Sequence, residues 1–531
     1  MLSYKSVLLG VLAGVVLTGC QTVSEKTQTA QREINNTETP SLSQGHSLTG
    51  NKSTQKTKVN HSDLWQLTRS EMQLALHIDK PRVKSQLNWY KKHPQYFDRI
   101  VKRATPYYYY ILNEAIRRDI PVELALLPIV ESAYDPFAYS HGRAAGPWQF
   151  IPSTGKHFGL RQDWWYDGRR DIISSTQAAY NYLEQLQKRF DGDWLLALAA
   201  YNAGGGNISK AIKRNRRKGL NTDYWSLDLP KETMAYVPKL LAISELIKHS
   251  DRYNLQLKEI PNEVHFAVVD THSQIDMAQA ASLAGISTKE LYLLNPGFNR
   301  WATSPSGPHR LLVPHANATQ LRQALVDLPD SERVKWARYK IKSGDSLISI
   351  AKKHETTVQL IRSTNNISGN NIRAGSTLLI PTASKRSNEY ALSQHQRHLE
   401  RQKSISRKTN KQQSHHIVKS GDSFWSIAKK YRVGVRQLAR WNSMAPGDPL
   451  NIGKRLVIWT APQQKMLSEA DRQIIRKVGY KVRNGDSLSR IASKFNVNVS
   501  DILRWNKLSK SRYLQPGQRL TLYVDVTRTI N

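Results

Sequence analysis

The sequence predicts a multidomain chain, a mainly α domain followed by small α+β modules, and three observations predict it. At 531 residues the chain exceeds one compact domain, on a scale of roughly 100–200 residues each. Between Asp63 and His249 apolar residues recur three and four apart and strand-like alternation is scarce, the pattern of helices with one buried face. After Ser331 one stretch recurs three times in a constant register, the mark of a repeated supersecondary unit.

In chain order, the first element is a leader. A polar start with Lys5 gives way to an apolar stretch from Val7 to Leu17, closing on Leu17-Thr18-Gly19-Cys20. The stretch is too short for a typical spanning helix and has the length of a signal-peptide core. Cys20 is the chain's only cysteine, which excludes an intrachain disulfide framework and a zinc site built on paired cysteines. The arrangement resembles a bacterial lipoprotein lipobox. That resemblance implies a signal peptide over 1–19 and lipidation of Cys20. With Gln21 following, it also implies an outer-membrane lipoprotein facing the periplasm of a Gram-negative bacterium. An ordinary cleaved signal with a coincidental cysteine is the alternative. Residues 20–60 are rich in Ser, Thr, Gln and Asn and read as a flexible tether.

The domain over 61–255 is helical. Pro121 stands at a favoured first-turn position, and an apolar helix runs from there to Ile129-Val130, delivering Glu131-Ser132 before the breaker Asp135-Pro136. A carboxylate ending an apolar helix is open to desolvation, which raises its pKa and suits it to general acid work. Position alone leaves a solvated glutamate equally open. Further on stand Gly142-Arg-Ala-Ala-Gly-Pro-Trp-Gln-Phe, Leu198-Ala-Ala-Tyr-Asn-Ala-Gly-Gly-Gly-Asn and Glu232-Thr-Met-Ala-Tyr-Val-Pro-Lys. These motifs, in this order after Glu131-Ser132, resemble the lytic transglycosylase branch of the lysozyme-like superfamily. The Gly-Pro-Trp-Gln-Phe turn points to its membrane-bound D-type.

A glycosidase of the usual kind needs two carboxylates across the scissile bond. The motif segments present one, Glu131, since Asp135, Asp167 and Asp171 read as turn or cap residues. The resemblance implies that one suffices, because the muramyl C6 hydroxyl is the nucleophile and a 1,6-anhydro ring forms. It casts Glu131 as acid and base, and Gln149, Tyr201, Asn202 and Tyr236 as substrate-binding residues. Ser132 either touches substrate or caps the broken helix. Trp148, Trp164 and Trp165 read as core or as sugar platforms. No cofactor is implied, and no His-Glu-x-x-His run or other metal-ligand spacing occurs.

The repeat follows. Tyr339-Lys-Ile-Lys-Ser-Gly-Asp-Ser returns as Ile417-Val-Lys-Ser-Gly-Asp-Ser and Tyr480-Lys-Val-Arg-Asn-Gly-Asp-Ser. The step from that glycine to a later asparagine is always 21: Gly344 to Asn365, Gly421 to Asn442, Gly485 to Asn506. Each unit reads as strand, two short helices, strand, over 337–382, 415–460 and 478–524. The unit resembles the LysM domain, a βααβ module that binds N-acetylglucosamine-containing glycans. The resemblance puts Asp345, Ser346, Asp422, Ser423, Asp486 and Ser487 at the turns that open the first helices and offers them as glycan-binding residues of the modules. The three aspartates stand where a helix cap would satisfy free backbone N–H groups. A worn fourth copy lies within 260–316, where Ala281 to Asn295 repeats the 14-residue step of Ala351 to Asn365. It lacks Gly-Asp. Residues 383–414 read by composition as a basic polar linker.

Charge completes the reading. The net is +36, and residues 331–531 hold 39 Lys/Arg against 12 Asp/Glu, a net of +27, leaving +9 for the rest. Such a surface favours an acidic partner or simply aids solubility. No nucleic-acid-binding motif accompanies it. The expected partners are peptidoglycan glycan strands and the membrane through lipidated Cys20, with no nucleic acid. The expected function is a peptidoglycan lytic transglycosylase. A hydrolytic muramidase of the same fold and a non-catalytic peptidoglycan-binding scaffold are the alternatives.

Overall fold

The computed structural model describes residues 61–408, 412–460, 475–509 and 514–525. The leader, Cys20 and the tether lie outside the described residues. Helices α1 (Leu64–Glu71), α2 (Pro81–Lys91) and α3 (Gln95–Arg117) open the first domain. The helix expected from Pro121 divides. Val122–Leu126 form a 3₁₀ turn, and α4 is only Leu127–Ser132 with Pro128 in its first turn. A proline lacks the N–H that would have continued one helix through this point. Next come α5 (Pro152–His157), α6 (Ile172–Arg189), α7 (Trp194–Ala203), α8 (Gly205–Arg217) and α9 (Lys231–Lys248). Twelve of the 18 residues of α9 are buried, and α7 is apolar around its circumference. A helix apolar on all sides belongs inside, so α7 and α9 form the centre on which the outer helices pack.

Among the described residues four βααβ modules follow, each closed by a two-stranded antiparallel sheet. The first consists of β1 (Phe266–Asp270), α10 (Met277–Leu283), α11 (Thr288–Leu294) and β2 (Arg310–Pro314), with α12 (Ala318–Val326) completing its core. It is the worn copy. Trp165 and Tyr166 of the helical domain are buried in that same core, and a Cβ at Gly297 would stand 2.7 Å from the Tyr166 ring. The second consists of β3 (Lys335–Lys340), α13 (Leu347–Lys353), α14 (Val358–Thr364) and β4 (Thr377–Thr382).

The segment read as a linker holds α15 (Gln394–Lys408). Composition hid it, because most of the residues that dock it are polar, Ile405 excepted. Gln402 donates to Trp441 O, and Trp459 Nε1 donates to Gln402 Oε1 at 2.9 Å. The third module is β5 (Gln412–Ile417), α16 (Phe424–Lys430), α17 (Val435–Trp441) and β6 (Arg455–Thr460). The fourth is β7 (Ile475–Lys481), α18 (Leu488–Lys494), α19 (Val499–Asn506) and β8 (Arg519–Asp525).

The constant step to asparagine has a physical cause. Asn365 Nδ2 donates to Ile361 O and Leu379 O, and its Oδ1 accepts from Leu379 N at 2.7 Å. Asn442 and Asn506 repeat the tie to Val457 and Thr521. Asn295 makes it to Leu312 in the worn copy. One amide thus joins the end of the second helix to the last strand in both directions, which only a side chain with donor and acceptor can do.

The aspartates are not the helix caps. Ser346, Ser423 and Ser487 cap α13, α16 and α18. Asp345 instead accepts from Tyr339 Oη and Lys342 N, both at 2.8 Å, and Asp422 and Asp486 do likewise with His416 and Tyr480. Each lies one residue before its cap, where the carboxylate reaches back to the strand rather than forward to the helix.

Candidate active site

Glu131 is the penultimate residue of α4. Just past Ser132, Ala133 and Tyr134 both hold left-handed backbone with φ of 51° and 55°, which turns the chain sharply away. Burial holds Tyr134 there, with its hydroxyl donating to Ala125 O at 2.6 Å. The turn thereby leaves Glu131 on the wall of a cleft of about 480 Å³ that also borders Gln149, Tyr201, Asn202, Tyr236 and Lys239. Tyr236, 4% exposed on the inner helix α9, donates to Glu131 Oε1 at 2.5 Å.

The electrostatics oppose one another. Burial pushes the Glu131 carboxyl up to about 7, against the Tyr236 hydrogen bond and with help from the Glu232 carboxylate, while Lys239 pulls it down. Burial and the nearby Glu131 also hold Tyr236 well above the ordinary tyrosine range, so it stays a donor. A carboxyl poised near 7 is able both to give and to take a proton at neutral pH.

The remaining expected residues divide by what their polar atoms do. Asn202 ends α7, and its Oδ1 accepts from Thr233 Oγ1 at 2.8 Å, which leaves its two N–H donors for a ligand. Gln149 stands at φ +50° and donates to Gly146 O at 2.8 Å, keeping its carbonyl oxygen for the cleft. Tyr201 donates to Trp148 O at 2.9 Å and offers the cleft its ring. Ser132 does not border the cleft. Its hydroxyl donates to Pro128 O and Pro147 O at 3.1 and 3.0 Å, tying the end of α4 to the Gly-Pro-Trp-Gln turn. Trp148 is core, fully buried with Nε1 donating to Thr176, and Trp165 is core of the first module. Arg300 stacks 4.0 Å from the Trp164 ring.

Asp135 and Asp171 are turn and cap residues, accepting from Phe137 N and Ser174 N. Asp167 does more. It is buried and holds Arg169 through two bonds of 2.9 Å, and Arg169 donates to Arg143 O and Phe150 O. That pair braces both ends of the turn that presents Gln149. Gly146 completes it at φ +81°, where a Cβ would meet Arg169 O at 1.9 Å.

The Transglycosylase SLT domain family matches residues 109–223, a range that holds Glu131, Gln149, Tyr201 and Asn202. The LysM-like domain of lytic transglycosylase MltD matches 265–330, and the LysM domain matches 339–381, 416–459 and 480–522. The membrane-bound lytic murein transglycosylases D of Escherichia coli strains K12 and CFT073 are each 35% identical over 522 residues, 97% of this chain and 97% of theirs. This chain belongs to their family. It is a lytic murein transglycosylase, a helical SLT domain followed by LysM modules. A solved inactive mutant of lytic transglycosylase Slt from Pseudomonas aeruginosa is 26% identical, covering 28% of this chain and 25% of that one, with a TM-score of 0.22. The soluble transglycosylase SLT70 of Escherichia coli is 22% identical over 27% and 23%, with a TM-score of 0.20.

Sequence reasoning missed Glu232 and Lys239 in this transglycosylase cleft, and the Asp167–Arg169 brace behind it. The signal for Glu232 was present in the Glu-Thr-x-x-Tyr-Val segment. It reads as a helix start until the fold shows that the first turn of α9 faces the cleft.

Proposed function

We propose that this enzyme cleaves the β-1,4 bond between N-acetylmuramic acid and N-acetylglucosamine in peptidoglycan, with Glu131 as its acid and base. The observation that carries the reading is a carboxyl ending a buried helix in an open cleft, raised to about 7 and bonded to Tyr236. Protonated Glu131 gives its proton to the glycosidic oxygen as the C1–O bond breaks. The muramyl C6 oxygen closes on C1, its proton passes back to Glu131, and a 1,6-anhydro end results without water. The Asn202 N–H donors and the Gln149 carbonyl oxygen orient the sugar, and the Tyr201 ring packs on its face. Glu131→Gln keeps the volume but not the proton, so turnover should fall by at least the roughly 10²–10⁴-fold of lost acid–base catalysis. Release of anhydromuropeptides from sacculi at near the parent rate would sink the assignment.

One observation favours a rival. Glu232 borders the same cleft and supplies the second carboxylate that hydrolysis by a muramidase requires. Mass spectrometry of the products separates the two, since hydrolysis leaves a free reducing end.

The LysM modules hold the enzyme on the glycan. Several weak sites on one chain raise its effective concentration there, and the +27 of residues 331–531 adds attraction to an anionic wall. Relatives named as membrane-bound together with the Leu-Thr-Gly-Cys segment support lipidation at Cys20 and a Gram-negative outer-membrane location. Cys20→Ala should move the protein out of the membrane fraction, and its persistence there would count against the anchor.

A further inference from the structure

The cleft does not end at the helical domain. Ser140 borders both it and a second groove of about 500 Å³, whose far wall is α15 and α17 of the third module. That wall is held against the helical domain by named contacts. Tyr139 Oη donates to both Asp448 oxygens at 2.9 and 3.0 Å, and Arg143 pairs with Asp448 at 2.8 Å. The Arg397 guanidinium lies 4.3 Å from the Phe137 ring centre. Burial and the Asp448 carboxylate push Tyr139 up to about 12, so it remains a donor at any ordinary pH.

The groove is cationic and lacks a protein counter-charge. His141, Arg401 and Arg440 line it beside Trp441 and Met444. Arg401 donates to the backbone carbonyl of Arg440 at 3.4 Å, a weak contact. Among the described residues no ion pair engages Arg401 or Arg440. Two carboxylates of this interface are already engaged, Asp448 by Arg143 and Tyr139, and Asp135 by Arg103 at 3.5 Å. Burial and the neighbouring Arg440 depress the Arg401 pKa, which Asp135 only partly offsets. Two unpaired guanidiniums beside apolar side chains, in a groove of ligand size, suit a carboxylate-bearing peptide with small apolar side chains.

We propose that this inter-module groove takes the acidic peptide stem of a murein strand whose sugars lie in the Glu131 cleft, with Arg401 and Arg440 pairing with its carboxylates. The proposal rests on the function proposed above. It makes the third LysM module and α15 part of the substrate site as well as a tether.

The test uses the full chain carrying Glu131→Gln, so that strands bind without being cut. Binding is measured for soluble glycan strands that carry peptide stems and for the same strands stripped of peptide by an amidase. Stem-bearing strands should bind about tenfold more tightly, the worth of roughly one charge-assisted contact surviving in water. Arg401→Gln with Arg440→Gln should erase that preference and leave stripped strands unaffected. The paired lysine substitutions should keep most of it. A preference that survives the glutamine pair overturns the proposal. So does an equal loss on both kinds of strand, which would mean that sugar fills the groove, or a loss with lysine as large as with glutamine. Cleavage of stem-bearing strands by the parent chain is read separately. Its absence would sink the proposed reaction while leaving the binding result to stand.

Discussion

A carboxyl that gives a proton and takes one back works best when its two states are nearly balanced, and the neighbours of Glu131 set that balance. On the proposed reading the free enzyme needs Glu131 protonated. With its pKa at about 7, kcat/KM should hold on the acid side and fall about tenfold per pH unit above the pKa. Tyr236 donates to the ionised form and so lowers this pKa. Tyr236→Phe removes the donor, the pKa rises further, and the falling limb should move to higher pH. A pH series on soluble strands reads this directly, and a limb that moved down or stayed put would show that Tyr236 does not tune Glu131. At this scale the sequence was half legible. Position alone left Glu131 open and the motifs that follow it singled it out, whereas Glu232 and Lys239 sit about a hundred residues away on another helix. Only folding brings the three charges within range of one another.

Between residue and domain, the short helix α4 carries a cost. Two consecutive non-glycine residues in left-handed backbone each store on the order of 1 kcal/mol. Tyr134 is fixed by burial and its bond to Ala125, but Ala133 is partly exposed and has only a methyl group to lose. Ala133→Gly should therefore stabilise the domain, by no more than about 0.5 kcal/mol once the unfolded-state entropy of glycine, roughly 0.5–1 kcal/mol, is subtracted. Chemical denaturation would show the gain, and a lower midpoint would mean that the methyl packs usefully. Elements with a period were legible in advance, the βααβ units most of all, because Asn365 and its counterparts must recur for each module to close. Helix α15 was not legible, since Gln402 docks by hydrogen bonds and Ile405 alone makes no periodic apolar stripe. The cap of each module was misplaced by one residue because Asp and Ser stand side by side and either type can cap.

Across the whole molecule the modules differ in what they do for the cleft. The first shares a core with the helical domain through Trp165 and Tyr166, and the third is latched to it through Asp448. Removing residues 461–531 takes away only the last module. It should weaken retention on sacculi and flatten the salt dependence of binding, since charge attraction is screened over about 8 Å at physiological ionic strength. Turnover of short soluble strands should stay nearly unchanged. Removing 331–531 strips the far wall of the second groove as well, so discrimination between stem-bearing and bare strands should go with it. Pulldown across a salt series, with turnover on both substrates, distinguishes the two truncations. A shorter truncation that lost soluble turnover would place the last module in the active site.

The sheet registers have a mechanical meaning. In every module the first residue of the opening strand faces the last residue of the closing one: Phe266 with Pro314, Lys335 with Thr382, Gln412 with Thr460, Ile475 with Asp525. The chain therefore enters and leaves each module through one mouth about 5 Å wide. A folded module adds almost nothing to the span between its neighbours, so reach along a glycan mesh is set by the connectors and not by the number of modules. A pull through the chain ends opens the mouth and peels the ladder one pair at a time. Lys335 to Thr382 would then pay out roughly 150 Å of slack at about 3.3 Å per residue. An enzyme whose modules hold a stretching polymer carries, in each of these loops, a reserve of chain length.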